Sequence, residues 1–395
     1  MKKKKEMSFF ITEDLWAMIL ARLPIKIITT SKLVCKQWNS LVESPLFRKL
    51  FMSLHQNSHS SWSLMCRVLP EPDDEVVAHY GCETWGLQRS LSSYISSFLT
   101  HRFNTQYPII TLVEAYTHVG LILITSGVTD TYYVANPISR QCVEIPHPPP
   151  PTRGLFFTSG LVTQIENDVF LGYKVVLMDT SNVSVLSLLI YSSETGLWSF
   201  KTLQSHLLLS SLNGFNPISL NGSLYWIGDY GEVLVSHDFY ATGNESDRCQ
   251  ATAFPDVGTK TNLRRVCTTS QGFIMYMNMV SQVKDDGHVE HKLRVWRLNS
   301  PEWLLVSEIS PVCCETGFNY IPLTINPFDA NTMYMMCTMH QCLGSTNFHE
   351  DKFGRHNSLD CCNDYQTLSF VGLYPSYISM FVLPRWLHKI PSSPS

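Results

Sequence analysis

Seven cysteines and histidines, all able to bind a metal, fall between positions 337 and 362: Cys337, His340, Cys342, His349, His356, Cys361 and Cys362. Thiolates and imidazoles are the usual ligands of zinc, and paired ligands typically stand two to four residues apart so that a tight turn presents both. Cys337 and Cys342 have four residues between them, and the adjacent Cys361 and Cys362 do not easily chelate one ion together. This spacing builds no tetrahedral set and favours buried thiols with surface histidines in a long loop, so no metal is expected. Other reactive residue types are present without their patterns: there is no G-x-S-x-G elbow, no G-x-x-x-x-G-K-[ST] phosphate loop and no H-E-x-x-H. Asp73-Asp74 and Asp285-Asp286 sit among polar, turn-like neighbours and read as solvated loops rather than an acid/base pair. No catalytic residue and no cofactor is expected.

Composition points the same way. The chain has 395 residues, 44% apolar and 16% charged, which favours large cores over disorder and allows two or three domains. Its formal charge of −4 gives nucleic-acid binding no electrostatic support. The balance is uneven: residues 1–52 hold ten Lys/Arg against four Asp/Glu, a formal +6, and the remainder holds 19 against 29, a formal −10. Four of the basic residues form the Lys2–Lys5 run, read as a solvated tail, with a nuclear address as the alternative. No secretory signal fits, because Glu13 and Asp14 interrupt the apolar stretch after the basic start. No run is long enough to span a membrane. Twelve cysteines without a signal suggest reduced thiols in the cytosol or nucleus, and the sequons at Asn182, Asn221 and Asn244 then read as chance.

The elements that would position a binding surface are better marked than any reactive group. Leu15, Ile19 and Leu23 recur at four-residue steps and share one helical face. Thr12 is placed to cap that helix, Glu13 and Asp14 suit its positive end, and Pro24 ends it. A second apolar set follows in Ile25, Ile27, Ile28, Leu33, Val34, Trp38, Leu41 and Val42, and the unit closes with Pro45, Phe47, Leu50 and Phe51. Three short helices in about fifty residues are near the lower limit of independent folding, and their apolar surplus calls for a partner surface. The series from the acidic pair through Leu15, Ile19-Leu20, Arg22-Leu23-Pro24, Ile25-Lys26, Val34-Cys35-Lys36, Trp38, Leu41, Pro45 and Phe47 resembles an F-box over residues 10–52. The resemblance implies binding to the Skp-type adaptor, and through it the cullin, of a RING ubiquitin ligase. It implies Ile11, Leu15, Ile19, Leu20, Leu23, Pro24, Ile25, Val34, Cys35, Trp38 and Leu41 as the adaptor-binding residues. One departure stands out: the family opens with Leu-Pro, and this chain has Ile11-Thr12, which keeps the apolar contact and loses a rigid lead-in. A generic three-helix cap is the alternative.

From about residue 60 the period changes. GLILITSGV (120–128) and TYYVANP (131–137) read as strands, and LSLLIY and LWSFKTL flank a Ser-Ser-Glu-Thr-Gly turn. Asn221-Gly222 is the strongest hairpin signal in the chain. GEVLVSHDF, GFIMYMNMV, LRVWRLN, PEWLLVSEI, MYMMCTM and YISMFVL continue the series. An aromatic follows several turns: Trp198 after Gly196, Trp226 after Gly222, Trp303 after Pro301. Repeated hairpins of this kind predict an all-β domain, a β-propeller with a pair of β-sandwiches as the alternative. The pieces YYVANPISRQCVEIPHPPP, LLIYSSETGLWSFKTL, SLNGSLYW and LRVWRL resemble the plant-type, kelch-related F-box-associated domain. The expected order is a basic tail over 1–9, the F-box over 10–52, a connection over 53–75 and the β domain over 76–390. The run Pro146–Pro151 would be extended; it closes a blade strand in the resembling family, and docking on an SH3-like or WW-like groove is the alternative. Together the two resemblances imply a non-catalytic ligase receptor that holds an unidentified target protein, without nucleic acid or membrane. The rivals are an enzyme on a kelch-type propeller, oxidase or hydrolase, and an F-box module acting outside the ligase.

Overall fold

Four short helices precede the strands: α1 (Glu13–Leu20), α2 (Ile25–Ser31), α3 (Lys36–Glu43) and α4 (Pro45–Leu54). The computed structural model describes residues 12–55, 61–68, 71–79, 85–87, 91–103, 111–126, 131–149, 157–166, 169–179, 185–204, 217–228, 232–242, 249–256, 265–283, 289–310, 320–337, 342–348, 353–356 and 378–391. Ile11, the Lys2–Lys5 run, Pro150-Pro151, Asp285-Asp286, His340, His349, Cys361 and Cys362 lie outside the described residues. Three helices were expected and four are present. The closing set of Pro45, Phe47, Leu50 and Phe51 forms the fourth, α4; Pro45 occupies its first turn, where its missing N–H is no loss, and the Ser44 hydroxyl accepts from Phe47 N at 3.1 Å.

The strands form six sheets among the described residues. Five are four-stranded antiparallel meanders. The first holds β3 (Thr111–Tyr116), β4 (Ile122–Ser126), β5 (Thr131–Asn136) and β6 (Gln141–Ile145). The second holds β7 (Phe157–Glu166), β8 (Val169–Asp179), β9 (Val185–Ser192) and β10 (Leu197–Gln204). The third holds β11 (Ile218–Leu220), β12 (Ser223–Gly228), β13 (Val233–Asp238) and β14 (Gln250–Ala253). The fourth holds β15 (Arg265–Ser270), β16 (Phe273–Val283), β17 (Val289–Asn299) and β18 (Glu302–Ile309). The fifth holds β19 (Tyr320–Ile325), β20 (Thr332–Cys337), β21 (Cys342–Asn347) and β22 (Phe353–His356). The sixth joins distant parts of the chain, in the order β2 (Glu71–His79), β1 (Trp62–Val68), β23 (Ile378–Val382).

The first strands of consecutive sheets contact one another, β3 with β7, β7 with β11, β11 with β15 and β15 with β19, and β23 returns to β3. Leu323 on β19 shares an apolar cluster with Trp62 and Val382, which joins the fifth sheet to the sixth. The ring is therefore closed, and the fold is a six-bladed propeller rather than a pair of sandwiches. Each gap between neighbouring blades holds its own buried cluster, for example Val162, Val176 and Leu188 against Leu224 and Trp226. Pairing of β23 with β1 closes the ring with strands from both ends of the domain, a radial arrangement that leaves only short edges at the blades.

The stretch 53–75, expected as a connection, contains the end of α4, all of β1 and the start of β2. Asp73 and Asp74, read as a loop pair, are in β2. β2 is the outer strand of its sheet, and an outer strand tolerates the proline and acids of EPDDEVVAH, which hid it. A fifth helix, α5 (Leu91–Phe103), packs on β2, where the other blades carry a fourth strand. Its buried Leu91, Tyr94, Ile95, Phe98 and Leu99 have amphipathic helical spacing inside a region expected to be strands.

Candidate functional site

The N-terminal helices have two faces. On the inner face Leu20 and Ile25 are 1% and 2% exposed, and Ala21, Ile28, Leu41, Val42, Phe47 and Phe51 are buried with them. This set is continuous with α5 and with the gap between the sixth and first blades. Thr12 stands at the cap position of α1, but its hydroxyl makes no capping bond, so the expected cap is absent. The Cys35 sulfur instead caps α3 by accepting from Trp38 N at 3.4 Å. The Trp16 and Trp38 rings lie 4.8 Å apart, which ties α1 to α3.

Several contacts fasten these helices to the propeller. Lys26 Nζ donates to the Tyr94 hydroxyl at 3.2 Å. Pro24 lies against Gly86, where a Cβ would approach the proline ring to 2.7 Å and where φ is +61°, so only glycine fits. Residues 383–391 form a strap running on from β23. Leu383 N–H donates to Ser61 O, and Pro384 O accepts from Trp85 Nε1, both at 2.9 Å. The Trp386 ring meets Phe51 edge-on at 5.0 Å, and the His388 ring is 5.7 Å from Phe170. Ile390 joins the cluster between the first and second blades, its N–H held by the Gln141 side chain at 3.2 Å. Burial, reinforced by the charge of Arg48, pushes the His388 imidazole down to about 4.

The outer face divides the expected adaptor-binding residues. Leu15, Ile19, Val34 and Cys35 are exposed; Leu23, Pro24 and Trp38 are half-buried; Leu20, Ile25 and Leu41 are core residues that hold the helices together. The structure adds Met18, Ile27 and Leu33 to the exposed apolar set, with Leu33 87% exposed and Val34 65%. Ile27 was legible in principle: Ile25 and Ile28 share the buried side of α2, so the residue between them must point elsewhere.

A second concave feature lies where the turns after the inner strands gather. A pocket of about 380 Å³ is bounded by the β3–β4 turn, the end of β7, the β11–β12 turn and the end of β13. Its wall includes His118, Ile165, Glu166, Asn221, Asp238 and Tyr240. The β11–β12 turn has Asn221 at φ 48° and Gly222 at φ 80°, the paired positive angles of a tight hairpin that the Asn-Gly signal predicts. Asp238 Oδ1 accepts from Tyr240 N at 2.8 Å. His118 Nε2 is 3.2 Å from Thr269 Oγ1, and desolvation pushes this imidazole down to about 4. None of these positions was singled out from the sequence as a site, because turn residues carry no periodic signal.

Of the cysteine and histidine group, Cys337 and Cys342 are register partners across β20 and β21, and His356 pairs with Leu343 across β21 and β22. No group of three metal-binding side chains comes together among the described residues, and no helix among them is long and apolar enough to cross a membrane.

Residues 11–50 match the F-box domain, and residues 60–392 match the family described as "F-box protein At3g26010-like, beta-propeller". The chain is 49% identical to "F-box protein At3g28330" of Arabidopsis thaliana over 99% of its own length and 98% of that protein's. It is 33% identical to "F-box protein At3g26010" of the same plant, over 97% and 91% of the two lengths. To "Putative F-box/kelch-repeat protein At1g15680", also from that plant, it is 33% identical over 98% and 95%. With both the helical unit and the six-bladed ring accounted for, the chain belongs to the F-box proteins that carry an At3g26010-like β-propeller.

Proposed function

We propose that this chain is the target-binding subunit of an SCF-type cullin–RING ubiquitin ligase. The outer face of α1, α2 and the α2–α3 turn docks on a Skp-type adaptor, which connects the chain to the cullin. The propeller holds a target protein. The observation that carries this reading is the split of the helical unit into two apolar faces, one buried against the propeller and one open. An open face with Leu15, Met18, Ile19, Ile27, Leu33 and Val34 is the kind of surface that marks a protein partner. The contribution to ubiquitin transfer is proximity: a tethered target presents its lysines at high effective concentration. No chemistry by this chain is required. Its place of work is the cytosol or nucleus.

The test is titration of the purified adaptor against the full chain and its Leu33→Asp, Val34→Asp double variant. Both side chains face solvent, so the variant should melt like the wild type. Burying one such side chain is worth roughly 1.5–3 kcal/mol, so adaptor affinity should fall at least about tenfold. Unchanged affinity would remove the adaptor assignment from this face.

A further inference from the structure

We propose that the pocket between the β3–β4 turn, the end of β7 and the β11–β12 turn receives a lysine or arginine side chain of the target protein, its stem on Ile165 and its cationic head at the Glu166 and Asp238 carboxylates. The proposal rests on the reading of the propeller as the target-binding half. A space of about 380 Å³ is ample for one long side chain with part of its backbone. The wall carries two carboxylates and no lysine or arginine. Its histidine, His118, is neutral at pH 7 and opposes no incoming cation. Glu166 makes no hydrogen bond or ion pair among the described residues. Asp238 uses Oδ1 on the Tyr240 N–H and makes no second hydrogen bond among them, although the Lys174 ammonium lies close enough to feel its charge.

Two further features suit a cation with an aliphatic stem. Ile165, near the end of β7, is exposed and lines the pocket, which offers an apolar ledge beside Glu166. Long basic side chains lay their methylenes along such ledges and keep the charge in polar surroundings. The Tyr240 hydroxyl is buried and lacks a hydrogen-bond partner among the described residues. The nearby Lys174 ammonium lies 4.0 Å from the centre of the Tyr240 ring and donates to Phe239 O. That cation is held by the protein and does not line the pocket. The formal −10 beyond residue 52 adds long-range attraction for a basic partner.

The experiment uses the full chain with three fluorescein-labelled hexapeptides: hexa-arginine, its neutral isostere hexa-citrulline, and hexaglutamate. The test variant is Glu166→Gln with Asp238→Asn; asparagine keeps an oxygen for the Tyr240 N–H, so the turn survives. The control is Glu144→Gln with Glu302→Gln, which removes the same charge from two exposed sites away from the pocket. Hexa-arginine should bind the wild type and the control equally, and the test variant at least about tenfold more weakly. Hexa-citrulline and hexaglutamate should bind the wild type at least about tenfold more weakly than hexa-arginine. An equal loss in the control, equal binding of citrulline and arginine, or no binding of hexa-arginine to the wild type would overturn the proposal. Melting curves show that the test variant is folded. Adaptor titration run alongside reports on the ligase reading alone, since the pocket variant should leave it unchanged.

Discussion

Trp198 and Trp303 hold equivalent places two blades apart. Each is the second residue of its blade's outer strand, and each indole N–H reaches back to the end of the preceding blade's outer strand or the residue just past it. Trp198 donates to Pro146 O at 2.7 Å and Trp303 to Ala253 O at 3.0 Å. Trp226 differs: it is 2% exposed and packs in the gap between the second and third blades. Replacing it with alanine should cost about 3–5 kcal/mol, whereas Trp303→Phe removes one hydrogen bond and should cost about 1 kcal/mol. Urea melts of the two variants would check the order, and equal losses would contradict it. The turn-then-aromatic spacing was legible in the sequence, but its partner was not, because Pro146 lies 52 residues before Trp198. His388 adds a pH dependence. Burial and the Arg48 charge hold its imidazole down at about 4 in the folded chain, against an ordinary value of 6.5. Between those values the unfolded chain takes up the proton first, so stability should fall as pH drops from 6.5 towards 4, then level off. The shift corresponds to roughly 3 kcal/mol. His118 is pushed down to about 4 as well, so His388→Gln should remove about half of this slope, and an unchanged slope would refute the assignment.

Within single elements, one helix serves two surfaces. In α1, Leu20 is buried and its neighbour Ile19 is exposed. Leu20→Ala should destabilise the helical unit by about 2–5 kcal/mol, while Ile19→Ala should leave the melt unchanged and weaken adaptor binding. Heat denaturation paired with adaptor titration separates the two effects. The four-residue repeat of Leu15, Ile19 and Leu23 revealed a face but not which surface it meets. Leu23 packs against the inner cluster and Pro24 against Gly86, so changing either would disturb the attachment to the propeller as well as any adaptor contact. Strands with turn signals were legible, Asn221-Gly222 most clearly. β1, β2 and α5 were not. β2 is an acidic outer strand, and α5 replaces a strand where the repeated blade pattern had already set the expectation.

At the scale of the whole molecule, the ring depends on a pairing between residues more than 300 positions apart, with Trp62 opposite Val382. Removing 378–391 would take away the inner strand of one blade, the partner of Trp85 and the ring that covers Phe51. Such a truncation should lose cooperative unfolding and aggregate, and calorimetry with size-exclusion chromatography would show it; a cooperative, monomeric product would refute the closure. An all-β architecture could be inferred from hairpins alone. The blade count could not, because the blades differ in strand length and the sixth is assembled from both sides of the others.

The strap over residues 383–391 also sets an order of events during synthesis. The helical unit leaves the ribosome before any blade exists, and domains tend to fold as they emerge. Its inner phenylalanines, Phe47 and Phe51, gain the Trp386 ring only when almost the whole ring of blades has been translated. A chain stalled in any blade then carries the open apolar face of α1 and α2 beside an incompletely covered aromatic one. Only the finished chain completes the cover over the second while leaving the first free.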